Sequence, residues 1–400
     1  MVWRRASMTE VTREHQRRRC VGRRLGHVTS AQYGRPVTTL GVRRIGTLFP
    51  VAVWAVWRLG HIAALVAFGG DPVDDSFRFD GAWMRSVLEG GYVLSDESYT
   101  VQQNVAFLPG LPYLTRPFAE VLGVDAGALV VANVAALATF CAVFAAVRAV
   151  SEEAVARRAV IALALWPGSI ALWAFMSEGV FLAASGAAVW ADSRRRPGLA
   201  TFLAWCAGTF RAVGFMVGPA LAVARVVRTR RVDGVAWAYA ISGAASLATV
   251  SLLQHLAVGD GLAFSRSQEA WNRSVTFPGR GLVRAAREVV DELPHLRLEL
   301  TMNLVSVAVV AAALVLATRH FGFRGAQGGA LAVGWFAFVI PLCSDLVASQ
   351  VRYMMGAWAA TLVLALGMVR LRALWLIAAT VGFVGTLFLL QRWANGDFVA

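Results

Sequence analysis

Apolar runs recur along this chain at about 47–69, 124–147, 159–175, 179–191, 198–210, 212–224, 234–258, 300–318, 326–344, 351–369 and 373–391. A run of this kind has few destinations. In hydrocarbon every backbone N–H and C=O must be satisfied internally, which leaves helices or closed barrels. The runs are continuous rather than alternating, so a barrel is excluded. Only 16% of the 400 residues are charged and 58% are hydrophobic, against about 25% charge in a soluble domain. The expectation is an all-α polytopic membrane protein. Soluble enzymes, secreted disulfide scaffolds and disordered chains are excluded.

Several runs are shorter than the roughly 20 residues a simple span needs. The stretch 198–224 reads either as one long helix or as two short ones broken near Arg211–Gly214. Arginine placement decides between them, because basic residues in short loops stay on the cytoplasmic side. With a hairpin at 198–224 there are eleven crossings, within a range of 9–12. Cytoplasmic segments then carry 25 arginines and outer segments 12, with Arg58 inside the first span. A single helix would move Arg225, Arg228, Arg230 and Arg231 outside and flip every later loop. Residues 1–46 hold eleven arginines against two glutamates. They read as a basic, disordered cytoplasmic tail that acts as a retention signal or meets anionic lipid. A start at Met8 or later is the other reading. The tail has no interleaved aromatics, so nucleic acid is not an expected partner. Residues 47–391 form the expected single transmembrane domain. No small-residue cleavage site follows the first run, so no signal peptide is read.

All 38 basic residues are arginine. Without lysine, Schiff-base chemistry and P-loop phosphate binding are excluded. Cys20, Cys141, Cys206 and Cys343 form no disulfide framework or metal pair, and His255 and His295 have no metal spacing. Arg58 and His61 share a face of the first span and read as structural partners of other helices.

Two outer segments are large: loop A, about 70–123, and loop B, about 259–299. Loop A holds eight acids, Asp74, Asp75 and Asp80 among them, and three arginines. Within it, residues 80–90 place Trp83, Val87 and Leu88 on one helical face, an interfacial amphipathic pattern. Residues 104–123 are apolar, but Pro109, Pro112 and Pro117 forbid a regular span there. They read as a broken element on the outer leaflet. Loop B is helical in pattern near 282–292. No internal repeat is present, and no acidic pair sits at mid-membrane, which counts against a transporter.

Asp80-Gly-Ala-Trp83, then Gly91-Tyr92, then Ala106-Phe107-Leu108-Pro109 with Pro112, resembles the PIG-V family of membrane mannosyltransferases, here in a bacterial form. That family lies within the wider GT-C class of multi-span glycosyltransferases. Trp166-Pro-Gly-Ser169 with Ser177-Glu178 is similar to the family's proline-then-Ser-Glu segment. Thr209-Phe-Arg211-Ala-Val-Gly214 with Pro219 is similar to its arginine-glycine hairpin, and Arg352-Tyr353 to its Arg-Tyr pair. The resemblance covers about 75–370. Phe-Leu-Pro-Gly-Leu-Pro departs from the family's second proline-rich run. The resemblance implies a GT-C fold that transfers a sugar, mannose, from a polyprenyl-phosphate donor to a lipid or glycolipid acceptor on the outer face of the cell membrane.

Inverting transfer needs one carboxylate to accept the acceptor's proton. It also needs positive groups at the departing phosphate. The resemblance makes Asp80 the general base, with Asp74 and Asp75 next in line; as a plain loop acid, Asp80 would cap a helix. Arg211 and Arg352 are the phosphate-binding candidates, since a guanidinium fork suits phosphate; otherwise they are interfacial side chains. Glu178 orients an arginine or the acceptor, or simply sits at a wet turn. Trp83 and Tyr92 are expected to help position acceptor or donor. No cofactor is assigned beyond the donor substrate, no metal site is named, and a divalent-metal requirement stays open. A lipid-linked sugar flippase and a non-catalytic assembly subunit of the same fold are the competing functions.

Overall fold

The structure is a computed structural model, and it describes residues 40–291, 298–362, 364–365 and 372–397. Most of the basic tail, with Cys20, and also His295 lie outside the described residues. The chain divides into two compact units, Met1–Ile45 and Gly46–Ala400. The described part of the first, 40–45, is helical; everything below concerns the second.

The protein is all-α. In chain order the helices are α1 Leu40–Ala67, α2 Asp80–Gly90, α3 Gly110–Leu122, α4 Val124–Val150, α5 Glu153–Ala164, α6 Glu178–Ser193, α7 Pro197–Phe210 and α8 Val217–Thr229. They continue as α9 Gly234–Val258, α10 Ala263–Arg266, α11 Arg280–Asp291, α12 Leu298–Phe321, α13 Gly328–Val339, α14 Gln350–Tyr353 and α15 Arg372–Ala394. Among the described residues there is no strand, only an isolated bridge between Val275 and Ser344. Among the described residues six segments are long and apolar enough to cross a membrane: Leu48–Ala67, Val124–Val150, Ala212–Thr229, Gly234–Val258, Leu298–Phe321 and Trp375–Ala394. Their outward sides stay apolar, as lipid demands. Val56, Leu59 and Val66 of α1 and Ile377, Val381 and Val384 of α15 are exposed.

Between the long helices run short ones, and the reasons are local. The 198–224 stretch is a hairpin of α7 and α8 joined by a 3-10 turn, Ala212–Met216. Gly214 faces the Ala207 carbonyl so closely that a Cβ would collide with it. The run 159–175 is not one helix. α5 ends before Pro167, which has no N–H to continue it, and a 3-10 turn Pro167–Leu172 follows. The run 351–369 also breaks: α14 gives way to a 3-10 segment, Met354–Ala360, kinked at Ala357. All seven residues of that segment are buried, which is where irregular backbone is tolerated at membrane depth.

In loop A, α2 forms over 80–90 as its pattern predicts. Protein covers part of its apolar face: it packs on α3 and α4 and buries Met84, Val87 and Leu88. Residues 104–123 are more regular than their prolines suggest. After a 3-10 turn at Asn104–Ala106, α3 runs unbroken through Pro117. Its Pro112 lies in the first turn, where the missing N–H costs nothing. At 13 residues, α3 is still too short to span.

The two loops are bolted together. Gln254 donates to the Val105 carbonyl at 2.8 Å and accepts from the Phe264 N–H at 2.8 Å. Gln268 donates to Ala106 O at 3.3 Å, and the Tyr99 hydroxyl donates to Asp260 at 2.5 Å. Loops A and B therefore form one layer over the ends of α6, α7 and α14.

Candidate active site

Four charged side chains from four distant elements meet beneath that layer. Asp80 is the first residue of α2, and its Oδ2 lies 2.5 Å from Arg352 Nη2. Arg352 turns its Nε to Glu178 Oε1 at 2.6 Å. The same Glu178 oxygen takes Arg211 Nη1 at 2.5 Å. Arg211 also donates to Ser177 Oγ at 3.3 Å. Glu178 is the first residue of α6, where the helix dipole favours an anion. It is 3% exposed and Arg352 5%. Asp80, Glu178, Arg211 and Arg352 thus form one continuous ionic chain.

Each member is held by its backbone. Arg352 is fixed through Val351: its N–H donates to Asn303 Oδ1 at 2.9 Å, and its carbonyl accepts the Trp166 indole at 2.7 Å. Gly168 lies so close to that carbonyl that a Cβ would collide with it. The Trp166-Pro-Gly-Ser169 motif is therefore a cradle for the arginine, and Ser169 in turn accepts the Trp57 indole at 3.2 Å. Asp80 follows Phe79, which sits at φ 54°, ψ −121°. A bulky residue there is strained. The Phe79 ring stands edge-on to Trp393 of α15 at 4.9 Å, and the Trp393 indole donates to the Asp75 carbonyl at 2.8 Å. Arg78 binds the Trp393 and Ala394 carbonyls. The last helix thereby pins the turn that aims Asp80.

A third guanidinium joins the set. Arg273, from loop B, lies 5.4 Å from the Tyr353 ring, with Arg211 at 5.1 Å and Arg352 at 5.3 Å from the same ring. Among the described residues no carboxylate pairs with Arg273. Three cations thus face two anions, a net positive charge of one. The three arginines, Glu178 and Tyr353 line a cavity of about 160 Å³ whose remaining wall is apolar, from Phe181, Leu182, Val213, Ile340, Pro341 and Met355 among others. A larger opening of about 680 Å³, between α11, α12 and α15, does not reach the cluster. Its arginines are already spoken for, Arg392 by Glu299 at 2.9 Å and Arg284 by Glu288 at 3.8 Å.

Burial pushes the Asp80 carboxyl up, but the guanidiniums of Arg352, Arg273 and Arg211 outweigh it and hold the group below the ordinary carboxylate range. The sign follows. A depressed carboxylate is ionised, and its pairing intact, above that range; both are lost as pH falls through the lowered value. The pH profile of kcat/KM, which reports the free protein, is expected to have its acidic limb below the ordinary carboxylate range, with no imidazole limb near 6.5, because no histidine is in the set. A limb near 6.5 in purified protein would show that another group titrates in turnover.

Not all the expected residues gather here. Trp83 lies one turn from Asp80, against Phe107 and Trp271. Tyr92 stands apart: its hydroxyl donates to the Phe107 carbonyl at 2.7 Å. Asp74 is exposed, and Asp75 is buried and paired with Arg78 at 2.6 Å. In α1, Arg58 donates to the Trp173 carbonyl at 3.2 Å and covers the Trp173 ring, a contact with the turn that follows Pro167–Leu172. His61 is buried, with Nδ1 2.8 Å from the Trp57 carbonyl. Arg273 and Trp271 escaped notice in the sequence, where nothing set them apart from the other residues of loop B. Among the described residues, no group of three or more His, Cys, Asp or Glu side chains is arranged to hold a metal ion.

Solved structures share this architecture. ArnT from Cupriavidus metallidurans, bound to undecaprenyl phosphate, superposes with a TM-score of 0.53 at 14% identity, over 90% of this chain and 78% of that one. The apo oligosaccharyltransferase of Archaeoglobus fulgidus gives 0.50 at 12% identity, over 88% of this chain and 56% of that one. The chain thus spans little more than half the length of that oligosaccharyltransferase. These likenesses show a shared fold. No family model matches the sequence, and no curated protein is similar to it.

Proposed function

We propose that this chain is a membrane glycosyltransferase that moves a sugar from a polyprenyl-phosphate donor to a lipid or glycolipid acceptor, with inversion. One observation carries the reading. Three guanidiniums converge on a small apolar-walled cavity, and one of them touches the carboxylate that would act as base. A membrane-held phosphate with an apolar tail has the chemistry of that cavity. The guanidiniums of Arg211, Arg273 and Arg352 would stabilise the departing phosphate as charge builds on it. Asp80 would take the proton from the acceptor hydroxyl as it attacks the anomeric carbon from the face opposite the phosphate. Glu178 would hold two of the arginines at a fixed spacing. The donor also resolves an apparent conflict. Asp80 paired with Arg352 is a weak base, but a phosphate that engages the same guanidiniums draws their charge away and restores its basicity.

Mannose as the sugar, kinship with the PIG-V family and an outward-facing site rest on the sequence motifs and arginine placement. ArnT in complex with undecaprenyl phosphate supports a lipid-phosphate ligand through shared fold alone. The test is donor choice. Protein purified into nanodiscs is expected to transfer sugar from polyprenyl-phosphate mannose to a membrane glycolipid extract, and to ignore GDP-mannose. Turnover of GDP-mannose with no lipid carrier present would refute the proposal.

A further inference from the structure

Beside the ionic chain stands an aromatic corner that the chemistry above leaves unused. Trp83 and Phe107 stack with centroids 6.3 Å apart and planes 13° from parallel. Trp271 meets both edge-on, at 5.9 Å from Trp83 and 5.6 Å from Phe107. All three rings are only partly buried. The Trp271 indole N–H is nevertheless shut away from water, with no acceptor among the described residues. A buried donor without a partner costs free energy unless something supplies one.

The corner is tied to the charged residues on both sides. Trp83 lies three residues after Asp80 on α2, and Trp271 lies two residues before Arg273 in loop B. Phe107 is held between them by the Tyr92 hydroxyl on its carbonyl. None of the three rings lines the cavity walled by the arginines. Asp80 links the two regions: its carboxylate pairs with Arg352, and Trp83 follows one helical turn along α2. The aromatic corner thus stands within one helical turn of the proposed base, where it can hold the group that gives up its proton.

We infer that the aromatic corner is the acceptor subsite and that it recognises a pyranose ring, so that the acceptor is a glycan or glycolipid. This rests on Asp80 as the base. A pyranose offers one face of polarised C–H groups, which suits the negative face of an indole or phenyl ring. Its hydroxyls supply both the proton that Asp80 takes and an acceptor for the Trp271 N–H. A bare lipid alcohol has no ring to lay on the corner. A peptide side chain uses neither the aromatic faces nor the orphan donor as well.

The experiment reads binding rather than turnover, with the full chain in nanodiscs and no donor present. Saturation-transfer NMR is run with methyl α-D-mannopyranoside and methyl β-D-glucopyranoside as probes. Wild-type protein is expected to saturate the C–H protons of one ring face of at least one probe. Trp83→Ala and Trp271→Ala are expected to weaken binding about tenfold or more, in line with the loss of one stacking ring. Trp271→Phe keeps a ring, loses the N–H and is expected to fall between. The thermal midpoint, and its rise with undecaprenyl phosphate, show that the variants are folded with the arginine cavity intact. If the alanine variants unfold, the Trp83→Phe and Trp271→Phe pair decides. No glycoside binding by wild-type protein, equal binding by folded ring-deleted variants, or saturation of an Asn-containing peptide in place of the sugars would overturn the inference. Asp80→Asn separates the two ideas. Unchanged turnover with intact glycoside binding removes Asp80 as base and leaves a sugar site whose role in transfer is lost.

Discussion

Asp80→Asn is expected to cut sugar transfer by about 10²–10⁴-fold, the usual worth of a positioned general base, while the protein stays folded. The amide matches the carboxylate in shape and still suits the first turn of α2. It removes the proton acceptor and also the charge facing Arg352. Some stability goes with that charge, because Arg352 is buried, but Glu178 stays as a counter-charge 2.6 Å from its Nε. The measurement is initial rate in nanodiscs with polyprenyl-phosphate sugar, beside the thermal midpoint. Asp74→Asn is the control, since it removes a charge from the same loop at an exposed position. Asp75→Asn is no control: Asp75 is buried, bonded to Arg78, and its backbone anchors Trp393. Near-normal transfer by Asp80→Asn would favour an assembly subunit that keeps the fold without the chemistry.

Glu178→Gln is expected to injure the fold as well as the reaction. One carboxylate oxygen serves two guanidiniums, and the side chain is 4% exposed. Removing one partner of a buried ion pair costs about 3–5 kcal/mol, because the remaining charge stays buried and unpaired. Here Arg211 is left without a carboxylate among the described residues, while Arg352 keeps Asp80. The thermal midpoint should fall by about 5 °C or more, and transfer should be nearly abolished. Polyprenyl phosphate should restore part of the lost midpoint, and raise it more than in wild-type protein, because it supplies the missing negative charge to the same guanidiniums. Glu178→Asp keeps the charge on a shorter arm and should lie between. A Glu178→Gln protein with a wild-type midpoint would mean that the carboxylate does not compensate the arginines.

These effects trace to residues that the sequence made visible to different degrees. The helical membrane class was legible because long apolar runs leave the backbone no alternative. The 198–224 hairpin was legible from the arginines that flank it. Asp80, Glu178, Arg211 and Arg352 stood out as ionisable groups next to apolar segments, and the structure joins all four. What was hidden is whatever depends on a partner far along the chain. α2 reads as amphipathic in isolation, and only α3 and α4 turn its apolar face inward. Arg273 has no periodicity to mark it, since it sits in an irregular stretch between α10 and α11 and gains meaning from the Tyr353 ring. The Trp166-Pro-Gly-Ser169 motif could be seen, but its use as a cradle for Val351 could not, 185 residues away. The unbroken α3 is hidden because Pro112 falls harmlessly in its first turn, whereas Pro117 lies in its interior, where proline ordinarily breaks a helix.

The anchoring of Asp80 by α15 bears on how the protein is made. Asp80 and Arg352 are 272 residues apart, and the Trp393 indole reaches back 318 residues to Asp75. Contacts of such separation form late, since the ends of so long a loop must first be brought together. A nascent chain enters the membrane from its N-terminus, so loop A is complete long before either partner exists. Until α15 arrives, the Phe79 ring lacks Trp393 beside it, and the contacts that Asp75 and Arg78 make to α15 from the turn before α2 are unmade. Synthesis thus arms the site last. A chain released between Arg352 and Trp393 carries all four ionic-chain residues without the brace beside the first of them. Unfinished copies therefore lack the arrangement on which the proposed sugar transfer depends.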